Sequence, residues 1–117
     1  TDEEIIRQTV CRGLVSIPGA MTPSEIVQAA SYGADFVKVF PAAALGAAYI
    51  RAIRAPLPQI PLLAVGGADA ENVSAFLRAG CVGVGIGGSL TNRAWIEAGD
   101  YASITRAAQA VCRAAEG

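Results

Sequence analysis

At 117 residues, with 53% hydrophobic and 16% charged residues and a formal net charge of −1, the chain has the composition of a compact core rather than of a disordered segment or a nucleic-acid binder. It contains no His, so neither a histidine metal site nor a Ser-His-Asp triad can be assembled from it. Cys11, Cys81 and Cys112 are odd in number, far apart and without a C-x-x-C pair, which reads as reduced, mostly buried thiols rather than metal or redox sites. The longest apolar stretches are about one strand long, against the roughly 20 residues that cross a bilayer. The opening Thr1-Asp2-Glu3-Glu4 is acidic where a secretory signal is basic, so the expected compartment is the cytoplasm, with neither membrane nor nucleic acid as partner.

Thr1-Asp2-Glu3-Glu4 also has the T-x-x-E pattern of a capping box, predicting that the chain opens on a helix with Ile5, Ile6, Thr9 and Val10 on one face. Gly13-Leu14-Val15-Ser16-Ile17 reads as the first strand. Thr22-Pro23-Ser24-Glu25 repeats the capping device with Pro at the first helical position, ahead of Ile26, Val27, Ala29 and Ala30, and Gly33 ends that helix. Glu25 is therefore read as a cap and not as a catalyst. Asp35 to Phe40 forms the second strand, Pro61 to Val65 the third and Val82 to Ile86 the fourth. Asp69-Ala70-Glu71-Asn72 starts a helix through Val73, Phe76 and Leu77 that stops at Gly80, and Tyr101 to Ala115 is the last helix, closing at Gly117.

The strand-like runs return at intervals of about 20 to 25 residues, which leaves room for one crossover helix each. They are continuous rather than alternating, which suits parallel strands buried on both faces. Four consecutive βα units, each strand ending in its own functional-looking turn, fit an α/β parallel (β/α)8 barrel better than a doubly wound sheet. A whole barrel takes at least about 200 residues. Residues 1–117 are accordingly read as one unit, about half of a barrel. Such a half exposes two sheet edges and an open core face, to be covered by another chain, a further segment or self-association.

Lys38 is the only lysine, and it stands in the apolar run Asp35-Phe36-Val37-Lys38-Val39-Phe40-Pro41. One reading is structural: the stem runs along the core and the ammonium reaches water. The other is chemical: partial desolvation favours the neutral amine, which attacks a carbonyl to form a Schiff base. The two-residue period puts Phe36 and Phe40 on the same face as Lys38, as an apolar collar. Two glycine turns, Val65-Gly66-Gly67-Ala68 and Ile86-Gly87-Gly88-Ser89-Leu90, end the third and fourth strands. Paired at equivalent strand ends, such turns bring backbone N–H groups close to an anion and read as a phosphate site; singly, each is also what a tight strand-to-helix turn requires.

These residues resemble the class I aldolases that cleave 2-keto-3-deoxy-6-phosphogluconate, its galactonate epimer or 4-hydroxy-2-oxoglutarate. Ile17-Pro18-Gly19-Ala20-Met21-Thr22-Pro23-Ser24-Glu25 is similar to the family's P-G-x-x-T-P-S-E segment, and Phe36-Val37-Lys38-Val39-Phe40-Pro41-Ala42 to its F-K-x-F-P-A run with the Schiff-base lysine. The matches fall in order across nearly all of the chain and correspond to the fifth to eighth barrel units, the C-terminal half. The resemblance implies that Lys38 is the catalytic nucleophile and that Pro18, Phe40, Val65, Gly66, Gly67, Gly87, Gly88 and Ser89 bind substrate. It implies further a phosphorylated keto-sugar-acid substrate, pyruvate and glyceraldehyde 3-phosphate as products, no cofactor or metal, and a homo-oligomer, commonly a trimer.

The family's general base, a glutamate on an early strand, and the arginine and threonine that hold the substrate carboxylate belong to segments outside residues 1–117. Val65 stands where galactonate-type relatives have valine and gluconate-type relatives threonine, whereas the tail from Leu90 to Tyr101 is similar to the gluconate and hydroxyoxoglutarate group, so the epimer stays open. Two alternatives stand beside the aldolase reading. One is a catalytically incomplete phosphate-binding half-barrel or assembly module. The other is a different phosphate-binding barrel enzyme, an isomerase or synthase, in which Lys38 does acid–base work.

Overall fold

In a computed structural model describing residues 1–117, the chain runs α1 (Glu3–Cys11), β1 (Gly19–Ala20), α2 (Pro23–Ser31), β2 (Val37–Val39), α3 (Ala42–Arg54), β3 (Leu62–Val65), α4 (Val73–Arg78), β4 (Gly83–Gly85), α5 (Arg93–Ala98) and α6 (Tyr101–Glu116). The strands form one parallel sheet in the order β1-β2-β3-β4, each beside its sequence neighbour. This is the βα repeat of part of a (β/α)8 barrel, as expected. α3 carries a break at Gly46 (φ 81°, ψ 160°), and α5 is an addition to the expected pattern. Of the three cysteines expected to be mostly buried, only Cys81 is; Cys11 and Cys112 are exposed.

The sheet's two faces differ. Ala20, Val37, Val39, Leu62 and Ala64 point to the helices and join Ile26, Ile50, Ile53 and Phe76 in the core, with Val37, Val39, Leu62 and Ala64 fully buried. Their alternates Gly19, Lys38, Leu63, Val65, Gly83 and Gly85 point the other way and are only half-buried. The continuous apolar runs had pointed to burial on both faces; within this chain only one face is covered. The uncovered face is the inner side of the curved sheet, where the remainder of a barrel would lie.

Two boundaries differ from the sequence pattern. The first strand falls at Gly19–Ala20, beyond the run Gly13–Ile17. Gly13 (φ 70°) belongs to the turn that ends α1. Ser16 N–H donates to the Asp35 carboxylate at 2.8 Å rather than to a strand, and Pro18 has no N–H, so the edge segment pairs mainly through its carbonyls. Ser16 O accepts from Asp35 N and Phe36 N (3.1 and 3.2 Å), Pro18 O from Lys38 N (2.9 Å) and Ala20 O from Phe40 N (3.1 Å). The first helix is capped by Asp2, whose carboxylate accepts from Ile5 N at 3.0 Å, rather than by Thr1. Thr1 instead donates its hydroxyl to Gly19 O, tying the chain start to β1.

The second capping box forms as read. Thr22 Oγ1 accepts from Glu25 N at 3.3 Å, and the Glu25 carboxylate accepts from Thr22 N (2.7 Å) and Met21 N (2.9 Å). Replacing Thr22 with Ala should lower unfolding free energy by about 1 kcal/mol in urea titrations. The N–H groups of Met21 and Thr22 hold the Glu25 carboxyl below its ordinary value of 4.5. A depressed folded-state value adds stability that is present above the ordinary one and lost as pH falls through the folded one. Glu25→Gln should therefore make stability fall less steeply on acidification below about pH 4.5 than in the parent, as read by urea midpoints across pH.

Candidate active site

Lys38 lies in the middle of β2, on the uncovered face, in a row that crosses all four strands: Gly19, Lys38, Leu63, Gly83. Val37 and Val39, on either side of it, anchor the strand in the core. Its side chain bends towards β1, with Cε 3.4 Å from where a Cβ on Gly19 would stand. Nζ lies 5.2 Å from the centroid of the Phe40 ring, a ring that is 49% exposed on the same face. The chain's two ion pairs are Arg7–Glu3 and Arg93–Glu97, so no carboxylate engages Lys38. An amine with an aromatic neighbour and no counter-ion is available to an electrophile once its proton is removed.

Beyond this row, towards the carboxyl ends of β3 and β4, the two glycine turns form the walls of a cleft of about 560 Å³. Phe40, Val65, Gly66, Gly67, Gly87, Gly88 and Ser89 all line it. Lys38 sits one inward-facing row below, under Phe40. Pro18 is apart from the cleft on the β1 edge, joined to the site through its carbonyl, which holds the Lys38 N–H.

The turns are glycine-rich for different reasons. Gly66 and Gly67 are in the left-handed region (φ 95° and 76°), and a Cβ would stand 2.8 Å from the Phe40 ring at Gly66 and 2.6 Å from Ala43 Cβ at Gly67. The chain itself requires glycine there. Gly87 and Gly88 have no left-handed φ, and a Cβ at either would meet nothing within 4 Å. The N–H groups of Gly66, Gly67, Ala68, Gly87, Gly88 and Ser89 find no acceptor within the chain.

Ala68, Asp69, Gly85 and Ile86 also line the cleft and were not singled out from the sequence. Asp69 acts in the turn ahead of α4: its Oδ1 accepts from Glu71 N (2.9 Å) and Asn72 N (3.2 Å), so the helix proper starts at Val73, later than the expected cap. Asn72 completes the brace, accepting from Asp69 N at 3.0 Å and donating to Gly67 O at 2.9 Å. The signal was present as D-x-x-N after a Gly-Gly turn, a side-chain-to-backbone pattern of loops. No lysine or arginine lines the cleft.

A family model described as "Aldolase: KDPG and KHG aldolase" matches residues 1–107. The chain belongs to this family. It is 42% identical over 88 residues to the 2-dehydro-3-deoxy-6-phosphogalactonate aldolase of Escherichia coli K12, covering 74% of this chain and 43% of that one. A probable 2-dehydro-3-deoxy-6-phosphogalactonate aldolase of Rhizobium meliloti is 41% identical over 87 residues, 74% of this chain and 41% of its own. A solved structure described as native KDPGal superposes with a TM-score of 0.87 at 34% identity, covering 97% of this chain and 54% of that one. The chain thus spans about half the length of the relatives it matches. No helix is long and apolar enough to cross a membrane, and no three metal-ligating side chains come together.

The two glycine turns should answer mutation differently. Gly67→Ala should lower stability by about 1–3 kcal/mol from backbone strain alone, whereas Gly87→Ala should stay within about 0.5 kcal/mol of the parent. Urea unfolding of the two variants checks this.

Proposed function

We propose that residues 1–117 are the C-terminal half of a class I aldolase barrel, in which Lys38 forms a Schiff base with a 2-keto-3-deoxy-6-phosphohexonate and the two glycine turns hold its phosphate. The observation that carries this reading is the pairing of the single lysine, unpartnered on the inner face, with a cleft one row away whose backbone N–H groups lack acceptors. Nζ adds to the C2 ketone, and loss of water gives an iminium. The electron pair of the C3–C4 bond then flows into the iminium as the C4 hydroxyl loses its proton, releasing glyceraldehyde 3-phosphate and leaving an enamine. Protonation at C3 and addition of water release pyruvate and restore the amine. The base for the C4 hydroxyl is assigned to the other half of the barrel, since the carboxylates of Glu25 and Asp69 are engaged by backbone N–H groups. The turns orient the substrate, which lowers the barrier by positioning rather than by bond-breaking.

Val65, lining the cleft, and relatives named as phosphogalactonate aldolases at 42% and 41% identity support the galactonate epimer as substrate. The proposal includes a cytoplasmic homo-oligomer, a trimer by family resemblance. Exposed Leu14 and Val15 beside β1 support a neighbour along that edge. A second reading, a half-barrel that binds phosphate without turnover, is favoured by the lack of any carboxylate at Lys38.

Pyruvate followed by borohydride should add one reduced-imine mass to the full chain, mapped to Lys38 and missing from Lys38→Arg, whose guanidinium forms no imine. An unlabelled parent would remove the Schiff-base reading. Adduct formation without retro-aldol turnover would select the binding-module reading. Where there is turnover, kcat/KM for the galactonate epimer should exceed that for the gluconate epimer by at least about tenfold; equal values would count against the epimer assignment.

A further inference from the structure

Three glycines on the inner face lie beneath a side chain of the neighbouring strand. A Cβ would stand 3.4 Å from Lys38 Cε at Gly19, 3.0 Å from Leu63 Cδ2 at Gly83 and 2.8 Å from Val65 Cγ2 at Gly85. None of the three has a left-handed φ, and glycine weakens a strand. Backbone geometry therefore does not account for them; at Gly83 and Gly85 the side chain above does, while at Gly19 a Cβ would meet Lys38 Cε at ordinary contact distance and only a larger side chain would displace it.

Lys38 and Leu63 are register partners at the centre of the row, with Gly19 and Gly83 as their outer partners. On an ordinary sheet face two such side chains stand side by side in contact. Here Lys38 leans outward onto Gly19 while Leu63 leans the opposite way onto Gly83. The two side-chain ends thus lean apart, each over the glycine on its own side. One row nearer the cleft, Val65 leans onto Gly85 in the same direction as Leu63.

We propose that Gly19 and Gly83 are positioning residues for the amine. Their missing side chains are slots that part Lys38 from Leu63 and open the passage through which the keto carbon reaches Nζ from the cleft. This rests on Lys38 being the imine-forming amine. Gly19 sets where the lysine stem lies, and Gly83 keeps Leu63 out of the approach to it. A methyl group at 83 would press on Leu63 and drive it back towards Lys38, whereas a methyl group at 19 meets Cε only at ordinary contact distance, and a branched side chain there displaces the stem.

The test is the rate at which pyruvate and cyanoborohydride label Lys38 in the full chain, with a melting temperature for each variant. Gly83→Ala should label roughly tenfold more slowly, the size of effect that small misplacements of reacting groups produce. Adding Leu63→Ala to it should restore the rate to within about threefold of the parent by removing the group that was pushed in, while lowering the melting temperature further. Gly19→Val should label roughly tenfold more slowly, and a Gly19→Val variant that labels at the parent rate removes Gly19 from the slots. A double variant no faster than Gly83→Ala, or a Gly83→Ala variant that labels at the parent rate, overturns the slots while leaving imine formation standing. A parent that is not labelled at all overturns the imine reading, and the slots with it.

Discussion

The two-residue alternation of β2 is the constraint on which the site depends. Val37 and Val39 are fully buried beneath the helices, and their burial fixes which way the strand faces; Lys38, between them, has no choice but the inner side. A register slip by one residue would exchange the faces, placing a charge in the core and two valines on the open side. The apolar contacts that stabilise the strand are therefore the same ones that aim the amine. The carbonyls of Pro18 and Ala20 hold the strand on one side through Lys38 N and Phe40 N, and pairing with β3 holds it on the other.

Phe40 links this row to the next. Its ring lies 5.2 Å from Nζ, lines the cleft, and packs so closely that no side chain fits at Gly66. The first glycine turn is thus shaped from below by an aromatic ring and from the side by Ala43, whose N–H donates to Gly66 O at 2.9 Å. Asn72 then clamps Gly67 from the helix side. The turn's N–H groups are held in place by the fold itself, so on the proposed reading little ordering cost falls on phosphate binding. The second turn is held more lightly, through Gly87 O, which accepts from Leu90 N and Thr91 N at 2.9 and 3.0 Å.

The repeat, the parallel sheet, α1, α2, α4, α6 and seven of the cleft residues were legible because most leave a local mark, a cap, an apolar run or a Gly-Gly at a strand end, whereas α3, which no side chain caps, was not placed. The one-sided burial was hidden, since inner-face Leu63 and Val65 are as apolar as core-facing Leu62 and Ala64, and a run of them shows no period. The first strand was misplaced because Leu14 to Ile17 has strand composition, whereas pairing depends on which N–H groups are free for a neighbour. Thr1 was read as a cap because Asp2, equally suited, sits beside it; the choice was settled by Gly19 O, a partner distant in sequence. The glycines at 83 and 85 leave no local mark, because the reason for them is the neighbouring strand, whose Leu63 and Val65 a Cβ would crowd.

The charge distribution completes the argument. Clefts that bind phosphate are commonly supplied with lysine or arginine, and none lines the cleft of this chain. On the proposed reading, that absence separates two tasks. A second ammonium near the cleft would compete for the phosphate, and a phosphate paired with Lys38 would stabilise the protonated amine, the form that cannot attack a ketone. Backbone N–H groups bind an anion through dipoles that act over a short range and carry no net charge, so on the same reading they fix the distal end of the substrate without bringing a second cation to the site. Asp69 also borders the cleft, with Oδ1 turned to the N–H groups of Glu71 and Asn72. With affinity assigned to the backbone and reactivity to one side chain, the chain needs only one lysine, and the sheet's alternation has already decided where it must point.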